Sequence, residues 1–404
     1  MKNLFDKLRP RFREYGEWPA WRASFELLDR FFYSSPAITR GEVHVRDASN
    51  VQRVQNHFVI ASLPCWLIGV WNTGEQTNLA MLLTKTEMLP GWRGELLQLL
   101  GVAYDPVNLG ACFFVGLLYF LPVFLVALVT GTFWEILFAQ KRGRPIDEGL
   151  LSVAWFFALL MTPTVPLTQV VLGMTFAMVV GKGIFGGSGR YIVNPAILGA
   201  AFLVFSYPAL VFGPEAWVPV PGYGEATTIE LAVEEGGVAA LQAVDYSWWQ
   251  LFVGNQPGPM GINSLLGCLF GAIYLIVTGA ASWRIMAGSF VGLAGTVFIL
   301  NTVGGDVMLA SVPWYWHIVL GGWAFGTVFI ATDPTTAAVT NAGRWGFGLL
   351  VGFLVVVVRL TNPSYYDGVI FALLLACVFS PLIDFFVVER NIKRRKLRLE
   401  AAGE

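Results

Sequence analysis

Apolar stretches recur ten times along the chain, at 57–74, 108–129, 150–166, 167–182, 196–213, 263–281, 285–303, 314–332, 345–361 and 367–388, with polar connections between them. Most are long enough to cross the ~30 Å hydrocarbon core of a bilayer as a helix, and a helix satisfies its own backbone where there is no water. The pattern predicts an all-α polytopic membrane protein with about ten transmembrane helices. Pro163 and Pro166 separate the third stretch from the fourth and leave two short pieces. Composition agrees: 55% of the 404 residues are hydrophobic, against roughly 45–50% apolar in soluble domains. The 44 glycines suit close helix packing in lipid, and the 15 tryptophans suit anchoring at the interface.

Charge then gives the stretches a direction. With the basic N-terminal segment (Lys2, Lys7, Arg9, Arg11, Arg13, Arg22) taken as cytoplasmic, the inner connections carry Lys141, Arg142 and Arg144, then Lys182 and Arg190, then Arg284, then Arg344. The tail with Arg390, Lys393, Arg394, Arg395, Lys396 and Arg398 also falls inside. From Ser206 to Ser282 there is no Lys or Arg, but Glu215, Glu225, Glu230, Glu234, Glu235 and Asp245 are present. Positive charge is retained inside, so this acidic central loop is expected to face outward. Only Lys85 and Arg93, in the first outer loop, fail to discriminate. The net charge of −1 hides this asymmetry, and no nucleic-acid partner is expected.

The two halves carry related marks. Thr162-Pro163-Thr164 precedes an apolar stretch leading to Asn194-Pro195-Ala196, and Asp333-Pro334-Thr335 precedes another leading to Asn362-Pro363-Ser364. The first proline is expected outside in one pair and inside in the other, as in two inverted five-helix repeats. The expected division is a cytoplasmic segment 1–55, a first repeat 56–213, an extracytoplasmic loop 214–262, a second repeat 263–388 and a basic cytoplasmic tail 389–404. A site at the repeat interface is expected where Gly or Pro interrupts the helices.

Ionisable groups near hydrocarbon are costly and mark ion paths or ligand contacts. Glu135 follows Gly131-Thr-Phe-Trp134, Asp333 sits in Ala331-Thr-Asp-Pro334, and Asp384 in Pro381-Leu-Ile-Asp384. Each reads as part of an ion path or as a quinone headgroup contact near the cytoplasmic face. The competing readings are a helix cap for Asp333 and charges paired with nearby Arg or Lys for Glu135 and Asp384. Gly186-Gly-Ser-Gly-Arg190 lacks the preceding strand and the Lys-Ser/Thr ending of a phosphate loop. It reads instead as a break that lets backbone polar groups line a cavity. Asn194 then offers a donor and an acceptor to a planar heterocycle, or caps the helix that Pro195 opens. Cys65, Cys112, Cys268 and Cys377 form no C-x-x-C pair and read as small apolar residues. His44, His57 and His317 are too scattered for a metal site, and His317 reads as an interface residue. Residues 1–55 lack the apolar core of a cleavable signal peptide.

Several long motifs converge on one family. Gly181-Lys-Gly-Ile-Phe-Gly-Gly-Ser-Gly-Arg190, Asn194-Pro-Ala-Ile-Leu-Gly199 and Ala201-Phe-Leu-Val-Phe-Ser-Tyr-Pro208 are flanked by His44-Val-Arg-Asp47, Phe133-Trp-Glu135, Ala281-Ser-Trp-Arg284, Ala331-Thr-Asp-Pro334 and Val388-Glu-Arg-Asn-Ile-Lys-Arg-Arg395. With these the chain resembles, from end to end, the B subunits of Na⁺-translocating NADH:quinone oxidoreductases. The resemblance implies a ten-helix subunit of a six-subunit respiratory complex in the bacterial inner membrane, with both termini cytoplasmic and two flavins in this chain. One is FMN, esterified through its phosphate to a threonine by a flavin transferase. The family's segment, roughly Asp-Gly-Phe-Ser-Gly-Ala-Thr, corresponds to Pro221-Gly-Tyr-Gly-Glu-Ala-Thr227 and puts the acceptor at Thr227, with Thr228 as a fallback. Pro221, Gly224 and Glu225 depart from that pattern, and Glu225 adds charge near the phosphate. The second flavin, noncovalent riboflavin, is implied near Asn194, with Tyr191 standing where the family has another Asn. Ubiquinone or menaquinone is implied near Gly131, Thr132 and Glu135, with Thr132 replacing a second Gly. Glu26, Glu135, Asp333 and Asp384 match acidic positions linked in the family to Na⁺ uptake.

The function so implied passes electrons from FMN through riboflavin to quinone, coupled to Na⁺ export. Two alternatives stand beside it: the D subunit of the Rnf electron-transfer complex, which resembles this family, and a solute channel or transporter of inverted-repeat design without redox function.

Overall fold

The computed structural model describes residues 7–12, 25, 51–143, 149–234, 236–303, 311–362 and 367–401. Every regular element among them is helical. Helix α1 (Val51–Thr84) and, after the short α2 (Trp92–Leu99), helix α3 (Leu109–Arg142) contain 34 residues each. At 1.5 Å per residue each is about 50 Å long, so both run well past the predicted apolar cores. The Asn108 side chain starts α3 by accepting from the Gly110 and Ala111 amides, and Gly143 ends it at φ 60 just after Lys141 and Arg142. Basic residues at that end also suit the helix dipole.

The third stretch departs from the expected crossing. Helix α4 (Leu150–Leu160) stops at Met161, because the Thr162-Pro163-Thr164-Val165-Pro166 run cannot continue the hydrogen-bond ladder. It covers about half of the core. Helix α5 (Leu167–Phe176) runs on as a π-helical segment, Ala177–Gly183. A turn with Gly186, Gly187 and Gly189 at positive φ then leads to α6 (Pro195–Ser206) and α7 (Pro208–Phe212).

In the acidic loop three short helices form, α8 (Thr228–Glu234), α9 (Val238–Ala243) and α10 (Trp248–Val253). Ile229, Ala232, Leu241 and Leu251 pack there with Val312, Trp316, Val319 and Leu320 as a small core of their own. Residues 254–264 contain no helix and lead to α11 (Leu265–Val277), followed by α12 (Trp283–Val303). The stretch 314–332, expected as one helix, is split into α13 (Trp314–Val319) and α14 (Trp323–Phe325), which continues as π-helical Gly326–Ile330. Gly321, at φ 66, permits the break. Helices α15 (Asn341–Thr361) and α16 (Val369–Ala401) complete the chain. Four helices, α3, α12, α15 and α16, are individually long and apolar enough to cross a membrane.

Small residues set the helix contacts. A Cβ on Gly74 or Gly116 would strike the backbone of Cys112 or Val70, which fixes α1 against α3 in antiparallel sense. Gly267 meets Cys65 and Gly271 meets Ala61, so α11 also runs antiparallel to α1. Gly288, Gly292, Gly348 and Gly352 bring α12 and α15 together in parallel. Without a hydrophobic driving force between helices in lipid, such close approach supplies the packing.

The unwound segments 161–166, 254–264 and 320–322 meet in the interior. The Met260 amide donates to the Met161 carbonyl at 3.0 Å, and Asn72 Nδ2 of α1 donates to the Gln256 carbonyl at 2.7 Å. The fully buried Arg359 of α15 donates to the His317 and Leu320 carbonyls at 2.9 and 2.7 Å. Backbone groups released by the breaks are thus answered by one another and by side chains of α1 and α15, as an apolar surround demands.

Candidate functional site

Two cavities flank this unwound region. The first, a cleft with about 530 Å³ of empty space, is bounded by the start of α8, the 254–264 segment and the α13–α14 break. Thr227 lines it and is half-buried. Thr227-Thr-Ile-Glu230 forms a capping box: the Thr227 amide donates to Glu230 Oε2 at 2.7 Å, and the Glu230 amide donates to Thr227 Oγ1 at 3.4 Å. Thr228, named above as the fallback acceptor, is 2% exposed, and its hydroxyl donates to Gln256 Oε1 at 2.5 Å. That bond argues against Thr228 as an acceptor. Trp217, Pro257, Pro259 and Ile262 give the cleft apolar walls, with amides from Gln256 and Asn263 and the Asp367 carboxylate between them. Among the described residues, no Lys or Arg lines it.

Glu225 does not point its charge at Thr227 Oγ1. Its carboxylate accepts from the Tyr246 hydroxyl at 2.9 Å and the Tyr223 hydroxyl at 3.5 Å. Burial pushes its pKa above the ordinary carboxylate value, and the two phenol hydrogen bonds oppose that shift. At the other end of the cleft, Asp367 Oδ1 accepts from the Gly322 amide at 2.8 Å and lies 3.5 Å from Arg359 Nη2. Arg359 thereby ties the helix break to the cleft.

The second cavity, with about 350 Å³ of empty space, lies between the starts of α1 and α4 and the turns before α6 and after α14. Phe58, Phe156, Phe329 and Tyr191 give it aromatic walls, and Gln55, Ser152, Asn194 and Asp333 its polar edge. Asn194 Nδ2 donates to Asp333 Oδ2 at 3.0 Å and the Tyr191 hydroxyl donates to the same oxygen at 3.4 Å. Asn194 Oδ1 accepts from the Ala196 amide at 3.0 Å, so one side chain both caps α6 and faces the cavity. Asp333 Oδ1 takes the Thr335 amide at 3.0 Å, the local cap weighed above, while Oδ2 reaches the other half of the chain. Gln55 Nε2 donates to the Tyr191 hydroxyl at 3.4 Å; its Oε1 is buried without a hydrogen-bond partner among the described residues.

Not every sequence candidate gathers here. Glu135 contacts Lys182 in a buried ion pair between α3 and the π segment, the paired-charge alternative. Gly131 lies against Leu150 and Met174, and Thr132 Oγ1 donates back to the Leu128 carbonyl at 2.8 Å. Asp384 of α16 accepts from the Val339 and Thr340 amides at 2.6 and 3.0 Å, which braces the turn before α15, whose cap is the Thr340 hydroxyl, rather than pairing with a basic side chain. None of these four lines either cavity. His317, read as an interface residue, is 1% exposed, and Arg359 holds its carbonyl. Glu26 and His44 lie outside the described residues.

The profile of the NQR2, RnfD, RnfE family matches residues 38–393. The chain belongs to this family. It is 43% identical over 399 residues to the B subunit of the Na(+)-translocating NADH-quinone reductase of Chromohalobacter salexigens, covering 98% of this chain and 96% of that protein. It is 40% identical over 402 residues to the B subunits of the same name in Azotobacter vinelandii and Pseudomonas aeruginosa, covering 98% of this chain and 99% of each. Of the residues expected above to depart from the flavin-attachment segment, Glu225 has its charge met locally, by the Tyr223 and Tyr246 hydroxyls. Sequence reasoning missed Gln256 and Arg359. An isolated Gln in a Gly- and Pro-rich run carries no pattern, but an Arg inside the apolar stretch 345–361 is a signal that could have been followed.

Proposed function

We propose that this chain is the B subunit of a Na⁺-translocating NADH:quinone reductase, with FMN esterified to Thr227 in the outer cleft and riboflavin in the inner cavity. Two cavities on opposite sides of one unwound centre, one lined by Thr227 and one by Asn194, carry this reading. The donor sets fit. In the inner cavity, aromatic walls and the amides of Asn194 and Gln55 match a flat heterocycle with a mixed polar edge, and the unpartnered Gln55 Oε1 is an acceptor in waiting. In the outer cleft, apolar walls suit a ring system, and with no Lys or Arg among the described lining residues, a covalent link through Thr227 Oγ1 is the means of retention.

The flavins, when bound, supply redox chemistry that side chains lack. The chain's own residues position and insulate. Phe58, Phe156 and Phe329 exclude water from the inner cavity, while Asp333 orients the Asn194 amide and the Tyr191 hydroxyl. Glu135 and Asp333, with Glu26 and Asp384, belong on this reading to the Na⁺ path. Gly131, Thr132 and Glu135 belong to the region where ubiquinone or menaquinone is reduced. The remaining subunits and a flavin transferase are the partners.

Ten crossings in two inverted halves, with 214–262 outside and both termini inside an inner membrane, complete the proposal. Its supports are the antiparallel pairing of α1 with α3 and α11, the parallel pairing of α12 with α15, and Pro163 and Pro334 each in a turn beyond a half-length helix. The test is the intact mass of this subunit, made with its partners and flavin transferase. The parent is expected to gain one FMN minus water and Thr227→Ala none; an equal gain in both would place the ester elsewhere.

A further inference from the structure

Thr227 and Thr228 are adjacent hydroxyls with opposite commitments, and one buried side chain separates them. Gln256 is 2% exposed, and both ends of its amide are engaged. Its Oε1 accepts the Thr228 hydroxyl at 2.5 Å, while its Nε2 donates to the Asn263 carbonyl at 3.1 Å and the Val319 carbonyl at 3.4 Å. Its own carbonyl receives Asn72 Nδ2 at 2.7 Å and Asn263 Nδ2 at 3.3 Å. Gln256 therefore joins the first turn of α8 to α1 and to the last turn of α13. The Thr227 capping box fixes only the local turn. Ile229 and Ala232 pack that turn against α13, and the hydrogen bond from Thr228 to Gln256 is what joins it to the 254–264 wall of the cleft.

We infer that Gln256 is a positioning residue for covalent flavin attachment: by holding the Thr228 hydroxyl it keeps that neighbour from serving as an acceptor and presents Thr227 Oγ1 to the cleft. The inference rests on the reading of Thr227 as the acceptor and adds the residue that selects it. A valine at 228 has the shape of threonine but no O–H, so it leaves Gln256 Oε1 buried and unpaired. A serine keeps the donor. Gln256→Leu removes the acceptor from the other side.

The experiment expresses the full complex with its flavin transferase and reads FMN per subunit by intact mass, the modified residue by peptide mapping, and assembly by co-purification of the partner subunits. Thr228→Val and Gln256→Leu are each expected to carry at least fivefold less FMN on Thr227 in assembled complex, with Thr228→Ser close to the parent. Thr228→Ala removes the same hydroxyl with less steric demand and serves if the valine variant does not assemble. A residue acting only on stability would lower the yield of complex and leave FMN per assembled subunit unchanged, which would overturn the inference. So would FMN found on Thr228 in Thr227→Ala. Failure of the underlying reading looks different: the parent itself would carry no FMN on Thr227.

Discussion

Lys182 and Glu135 bring opposite charges into contact where both side chains are nearly sealed from solvent. Taking two ions out of water costs several kcal/mol each, and the pair persists only while each compensates the other. Lys182→Met or Glu135→Gln alone is expected to destabilise the protein by about 3–5 kcal/mol and the double variant by less, read as Tm in detergent. A single variant melting with the parent would show that the pair is not a structural one. Glu225 gives a pH dependence. Its folded-state pKa is raised by burial, so the folded loop holds its proton more tightly than the unfolded chain does. Stability from this group is full below the unfolded value and declines as pH rises through the folded one. Protease cleavage within 214–262 should therefore increase across that window, and Glu225→Gln should flatten the profile. At this scale sequence reasoning reaches the residues but not their partners. Asp333 and Asn194 each cap a local turn and also line the second cavity, because one carboxylate or amide has more than one hydrogen-bonding atom. Glu135 is picked out by the sequence as a charge near hydrocarbon, but its partner Lys182 comes from another helix and is not.

Helix positions follow hydropathy, since each of the ten apolar stretches contains helix. Helix ends do not. α1 and α16 continue into polar sequence because a helix, once nucleated, propagates through good helix formers, which hydropathy does not record. The break before Pro163 is legible from proline; the break at Leu320–Gly322 escapes a hydropathy reading, although the Gly321-Gly322 pair marks it. Packing between elements is carried by glycines whose partners are far away in sequence. Gly352 faces the Ser289 carbonyl, and a Cβ there would also come within 2.5 Å of the Leu293 amide. Both are backbone, so the helices themselves must separate. Gly352→Ala is expected to cost about 1–3 kcal/mol, seen as a lower Tm, whereas Gly295→Ala on α12, which meets nothing, should match the parent.

For the whole molecule, charge asymmetry is the legible feature, and the meeting of three unwound segments is not, because it depends on contacts such as Asn72 with Gln256 that are 184 residues apart. Sidedness can be tested directly, since the four native cysteines are all buried and give little labelling background. In intact cells opened only at the outer membrane, a membrane-impermeant maleimide should label Ala239→Cys. Lys396→Cys should react only after the inner membrane is broken, and the reverse pattern would invert the topology. The unwound centre also bears on how the protein is made. On the proposed topology, Met161 and Asn72 would enter the bilayer before the amide and carbonyl that engage them, those of Met260 and Gln256, are synthesised. The first half would then wait in the membrane with these polar groups unmet, and a ribosome that stalled before the second half would leave an inserted but unfinished chain.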